Sequence, residues 1–145
     1  MSRKFRLALV ATALTAVGGC TAVTVQPVNN LAEILHVCIR ENPKVMVRDF
    51  VSVLEAGFER YGISTELIQR STPPHCEYVL TYSALRSWDM APYLSQADMQ
   101  LTRSGRKIAS AEYRLRGKGG LALNKWAGTE TKIRPVIDEL LTGRE

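Results

Sequence analysis

Between Tyr93 and Leu115, apolar and polar residues alternate on both sides of a Ser104-Gly105 turn, and this two-residue period commits the segment to a β-hairpin. On the first arm Tyr93, Ala97, Met99 and Leu101 share one face, while Leu94, Gln96, Asp98, Gln100 and Thr102 occupy the other. The return arm, Lys107 to Arg116, turns Ala109, Ala111, Tyr113 and Leu115 inward. A hairpin with one apolar face must bury it, so the remaining chain has to supply a covering layer.

Two segments have the period to do so. Val47, Phe50, Val51, Leu54, Phe58 and Tyr61 recur at helical spacing as one apolar stripe. Asn42-Pro43 offers a cap and first turn for that helix, and Gly62 is placed just past its end. A second helix carries Trp126, Ile133, Val136, Ile137, Leu140 and Leu141, with a kink expected at Pro135 or a break between Trp126 and Ile133. Further strands are expected at Ile34 to Arg40, Ser64 to Arg70 and Glu77 to Leu85, the last with Tyr78, Leu80, Tyr82 and Ala84 on one face. Ser71-Thr72-Pro73-Pro74 reads as a turn. The expectation is an α+β single domain over 33–145, in the order β-α-β-β-β-β-α. Its sheet is mostly antiparallel, with two helices packed on one face.

The front of the chain belongs to a different kind of signal. Arg3, Lys4 and Arg6 precede an uncharged run of eleven residues, Leu7 to Val17. A permanent bilayer span needs about 20 apolar residues, so this run reads as the core of a signal peptide covering 1–19. It ends in Val17-Gly18-Gly19-Cys20, which resembles the lipobox of bacterial lipoproteins: an aliphatic residue, two small ones, then the cysteine. The resemblance implies that Cys20 is lipidated and that its acyl chains hold the protein to membrane lipid. It also implies, through Thr21 rather than Asp after the cysteine, an outer-membrane location facing the periplasm. Residues 20–32, uncharged and containing Pro27 and Asn29-Asn30, read as the lipidated N-terminus and a linker.

Removing the leader changes the electrostatics. The full chain carries a formal charge of +5, but three of its basic residues lie before Cys20. Sixteen basic residues then face fourteen acidic ones, which takes away any reason to expect a nucleic-acid partner. Export also places Cys38 and Cys76 in an oxidising compartment, where they are expected to pair as a disulfide. Metal binding by Cys76 and adjacent His75 finds no second ligand pair at zinc-like spacing, and no metal or cofactor is expected.

The lipobox, the small size and the α+β order together are similar to envelope-assembly and transport-auxiliary lipoproteins. The lipopolysaccharide-assembly lipoprotein and the accessory lipoproteins of ABC lipid transporters are of this kind. What the resemblance implies is a non-enzymatic binding, assembly or transport-accessory module acting on an envelope protein complex or anionic lipid. Two alternatives stay open: a small envelope enzyme using His36, His75 or Asp89, and an immunity-type lipoprotein against a toxin.

Candidate surfaces follow from charge and aromatic content. Arg103, Arg106, Lys107, Arg114, Arg116 and Lys118 face only Glu112 within the same stretch. They could form a basic patch for anionic headgroups or an acidic protein, or a solvated strand edge that discourages aggregation. The segment from Arg86 to Tyr93, with Trp88, Met90 and Pro92, has an interface-like composition, and reads equally as a strand-end turn with Trp88 packed as a lid. The run Gly117-Lys118-Gly119-Gly120 lacks phosphate-loop spacing and reads as a loop. No nucleophile elbow is present and no residue is expected to be catalytic.

Overall fold

The computed structural model describes residues 21–116 and 123–143. Six strands form one sheet: β1 (Thr21–Gln26), β2 (His36–Arg40), β3 (Ser64–Ile68), β4 (Tyr78–Asp89), β5 (Ala91–Arg103) and β6 (Arg106–Leu115). Helix α1 (Phe50–Glu59) connects β2 to β3, and α2 (Thr129–Thr142) closes the described chain. The spatial order is β1-β6-β5-β4-β2-β3. Strand β2 runs parallel to both β3 and β4, and the other pairings are antiparallel. The α+β class, the mostly antiparallel sheet and the two helices thus agree with the sequence reading, with one strand added at the front.

That strand corrects the expected linker. Thr21–Gln26 pairs residue for residue with β6, from Thr21 opposite Leu115 to Gln26 opposite Ser110. Val23 and Val25 lie against the core while Thr24 and Gln26 are exposed, a two-residue period in a β-branched run. Pro27 ends the strand, and the Val28 amide donates to the Leu140 carbonyl of α2 at 2.9 Å.

The core fills one face of the sheet. Val37, Ile39, Leu80, Tyr82, Ala97, Met99, Leu101, Ala109, Ala111, Tyr113 and Leu115 turn toward Phe50, Leu54 and Phe58 of α1 and Ile133, Ile137 and Leu140 of α2. Small residues on the inner face, Ala84 opposite Ala97 and Ala111 opposite Met99, make room for the helices. The helices also meet each other. Gly57 lies so close to Ile137 that a Cβ there would fall 2.6 Å from its Cδ1. Arg60 and Tyr61 both reach the Asp138 carboxylate, at 2.5 and 2.9 Å.

Two local expectations need correction, and one is met. Asn42 does not start α1: its amide group donates to the Tyr82 carbonyl at 2.9 Å while its Oδ1 accepts from the Lys44 amide at 3.1 Å. This stitches an isolated turn to β4, and the helix begins eight residues later. Near the C-terminus the expected break between Trp126 and Ile133 is present at Ala127-Gly128, between a short 3-10 turn (Leu123–Trp126) and α2, and α2 then continues through Pro135. Finally, the segment from Arg86 to Pro92 is not a strand-end turn. Strands β4 and β5 run on through it as a paired ribbon, with a register shift at Leu85/Arg86. Ser95 is the extra residue, and its hydroxyl donates to the Leu85 carbonyl at 3.1 Å.

Candidate functional site

Strand register divides the candidate residues between two ends of the sheet. At one end Ala22 pairs with Arg114, Arg114 with Gln96, and Gln96 with Leu85, in one row across β1, β6, β5 and β4, and Thr21 pairs with Leu115 one residue further. Beyond Thr21 and Leu115, among the described residues only the β4–β5 ribbon of the sheet continues, turning at Met90, whose φ is 60°. Trp88 and Met90 near its tip are 74 % and 86 % exposed, and Leu85 at its base is 54 % exposed. Arg86 is exposed on the same ribbon.

The ribbon is held from behind. The Lys125 ammonium meets the Asp89 carboxylate, and the Trp126 indole donates to the Asp89 carbonyl at 2.9 Å. Lys125 itself is buried, with Nζ 5.2 Å from the Tyr93 ring centroid and 5.0 Å from that of Trp126. A second buried lysine, Lys132, donates to the Leu94 carbonyl at 3.0 Å and the Lys125 carbonyl at 2.5 Å. Burial pushes the Lys132 ammonium below its ordinary pKa and the nearby Tyr113 phenol above its own. Neither lysine was a sequence candidate. Lys132 could have been: it stands four residues before Val136 and eight before Leu140, in phase with the apolar stripe of α2.

The basic residues do not form one patch. Arg103, Arg106 and Lys107 surround the Ser104-Gly105 turn at the far end of the sheet, opposite the ribbon, whereas Arg114 and Arg116 lie toward the Thr21 end. Two of the five described cations are already spent. Arg103 donates to Glu77 at 2.6 Å and to Glu33 at 3.0 Å, and the Glu77 hydrogen bond and charge hold its pKa above the ordinary value. Arg114 meets Asp98 at 2.6 Å and Glu112 at 3.8 Å, and donates to the carbonyls of Ala97 and Tyr113. Glu77, Glu33 and Asp98 come from outside the stretch in which only Glu112 was counted. Arg86, Arg106, Lys107 and Arg116 remain exposed, while Lys118, like Cys20, lies outside the described residues.

Cys38 and Cys76 form the expected disulfide, with Cα atoms 5.7 Å apart. It lies on the sheet face away from the helices, where Ile68 and Val79 complete a small separate apolar cluster. His36, Glu66 and His75 gather around it. Asp89 is tied to Lys125 at the other end of the sheet, so the three residues weighed for an enzyme are not brought together. Glu66 was not a sequence candidate. The group assembles from β2, β3 and the turn before β4, and no local spacing reveals it.

Among the described residues no helix is long and apolar enough to cross a membrane. No protein-family model matches the chain, and no curated protein matches it. Solved structures do resemble it in fold. The PelC dodecamer from Paraburkholderia phytofirmans superposes with a TM-score of 0.59 at 14% identity, over 86% of this chain and 98% of that one. A single-substitution variant of the same dodecamer in a second crystal form gives a TM-score of 0.55 at 14% identity, over 84% of this chain and 98% of that one. At that identity the likeness is one of fold: this chain folds as the PelC subunit does.

Proposed function

We propose that the protein is a lipid-anchored envelope lipoprotein that works as a non-enzymatic binding and assembly module, with its acyl chains on Cys20 and its domain in the periplasm. The observation that carries this reading is the pairing of Thr21 with Leu115. The residue directly after the lipobox cysteine is already part of the sheet, so an acyl group on Cys20 ties the membrane to one defined end of the domain. That end is the one from which the β4–β5 ribbon projects, with Trp88 and Met90 exposed. Tryptophan favours the membrane–water boundary, and the ribbon gives the acyl chains a second, reversible contact with the same membrane.

The opposite end, with Arg106 and Lys107 exposed, then points away from the membrane toward an envelope partner. The dodecameric state of the PelC relatives supports reading the domain as a unit repeated in an assembly. Metabolic labelling with an alkyne palmitate analogue tests the anchor: wild type takes up label and Cys20→Ala does not. A photo-crosslinking residue at Trp88 should then capture lipid in living cells, and one at Lys107 should capture protein. Unlabelled wild type with its leader attached would overturn the proposal. So would lipid capture at Lys107 in place of Trp88.

A further inference from the structure

Both histidines of this chain, 39 residues apart in sequence, converge on one carboxylate beside the disulfide. His36 stands opposite Ser64 and Cys38 opposite Glu66 in the β2–β3 pairing, so His36, Cys38 and Glu66 share the sheet face away from the helices. His75, in the turn before β4, reaches the same point: its Nε2 is 2.6 Å from Glu66 Oε1. The imidazole rings are 6.2 Å apart between centroids. One donor atom from each of His36, Cys38, Glu66 and His75 lies within 4.8 Å of the others.

The hydrogen bonds around His36 accommodate the tautomer that a metal ligand needs. The Ser64 hydroxyl can donate to the Leu35 carbonyl at 3.1 Å. In that arrangement the 2.8 Å contact between His36 Nδ1 and Ser64 Oγ is a donation from the imidazole. Nε2 is left with its lone pair, 3.7 Å from Cys38 Sγ and facing the cluster. This is the arrangement of a metal-ligating histidine oriented by its other nitrogen. Glu66 and His75 side chains are 39 % and 60 % exposed, free to adjust and open to an entering ion.

From this geometry we infer a binding site for a divalent transition cation, with Nε2 of His36, Nε2 of His75 and the Glu66 carboxylate as protein ligands and water completing the shell. Two imidazoles and a carboxylate suit a borderline ion such as Zn²⁺ rather than Mg²⁺ or Ca²⁺. Around a tetrahedral zinc such donors stand about 3.3 Å apart, so the cluster closes by side-chain shifts of about 1 Å. To bind the ion, neutral His75 moves its Nε2 proton to Nδ1, whereas the imidazolium form releases one proton to buffer; either way Nε2 offers its lone pair, and the disulfide stays oxidised throughout. The bound ion clamps the β2–β3 edge to the turn before β4.

The test is calorimetric titration of ZnCl₂ into the full-length protein purified without reductant. It is repeated on His36→Ala, His75→Ala and Glu66→Gln, with Glu59→Gln as an exposed carboxylate elsewhere. Zinc should bind one to one and raise the melting temperature. Each ligand variant should weaken binding about tenfold or more, with circular dichroism unchanged without zinc, and Glu59→Gln should bind as wild type does. Absence of binding, or affinity unchanged in both histidine variants, overturns the site. Binding that appears only after reduction assigns the metal to the thiolates and overturns it equally.

Discussion

Gly57→Ala is the sharpest test of how the two helices meet. In an exposed helix the change gains about 1 kcal/mol of helix propensity. Here the new methyl falls 2.6 Å from Ile137 Cδ1, 3.0 Å from its Cγ2 and 3.5 Å from its Cβ. Ile137 is fully buried, so it has no free space to enter, and overpacking of this kind costs about 1–3 kcal/mol. The two effects leave Gly57→Ala net destabilising by about 1 kcal/mol. Ile137→Val removes the Cδ1 that causes the worst clash and by itself costs about 1 kcal/mol. With Cδ1 gone, most of the propensity gain returns, and the double variant should be at least as stable as Ile137→Val alone. The coupling between the two positions is then about 1–1.5 kcal/mol, well outside the scatter of independent sites. Urea unfolding followed by far-UV circular dichroism, without reductant, measures all four proteins. Equal stabilisation by Gly57→Ala in both backgrounds, with no coupling, would refute the close approach of α1 and α2.

Replacing Cys38 and Cys76 together by alanine opens a loop of 38 residues, and the double variant should lose about 4 kcal/mol in urea unfolding on the chain-entropy account; a loss below about 1 kcal/mol would remove that account. Lys132 has its folded pKa below its unfolded value of 10.5, so the native state binds fewer protons in that window. Stability relative to Lys132→Met should therefore rise as pH climbs through the folded pKa toward 10.5, and a flat or falling difference in urea midpoints would contradict it. Asp89→Ala leaves Lys125 buried without its half-exposed carboxylate, at a cost of about 1–2 kcal/mol. Amide hydrogen exchange should speed up in the Arg86–Leu94 ribbon and not in β6.

Much of the sheet was legible because its inner face alternates cleanly from Gln96 to Leu101 and from Ala109 to Leu115, between the register shifts. Every residue assigned inward on the two arms from Tyr93 to Leu115 is buried, as is the stripe of Phe50, Leu54 and Phe58. The failures share a cause, which is that a partner distant in sequence overrode a local signal. Asn42 looks like a helix cap until Tyr82 takes its amide. Thr21–Gln26 looks like a linker until β6, 84 residues away at its nearest pair, takes its backbone. The basic hairpin looks like a patch until Asp98 on β5 and Glu77 just before β4 neutralise Arg114 and Arg103. The histidine cluster is the clearest case, since His36, Glu66 and His75 come from three segments brought together by the β2–β3 register and the Cys38–Cys76 disulfide.

The early start of β1 also sets a height. With the lipid proposed on Cys20, no slack would separate the anchor from the sheet, and the domain would not swing on a flexible stalk. The nine residue steps of β6 from Leu115 to Arg106 then span about 30 Å along the strand. That distance is several screening lengths, each about 8 Å at physiological salt. Under the proposed anchoring, Arg106 and Lys107 would therefore be electrostatically blind to the headgroups beneath the anchor, and whatever they attract would have to arrive from the aqueous side.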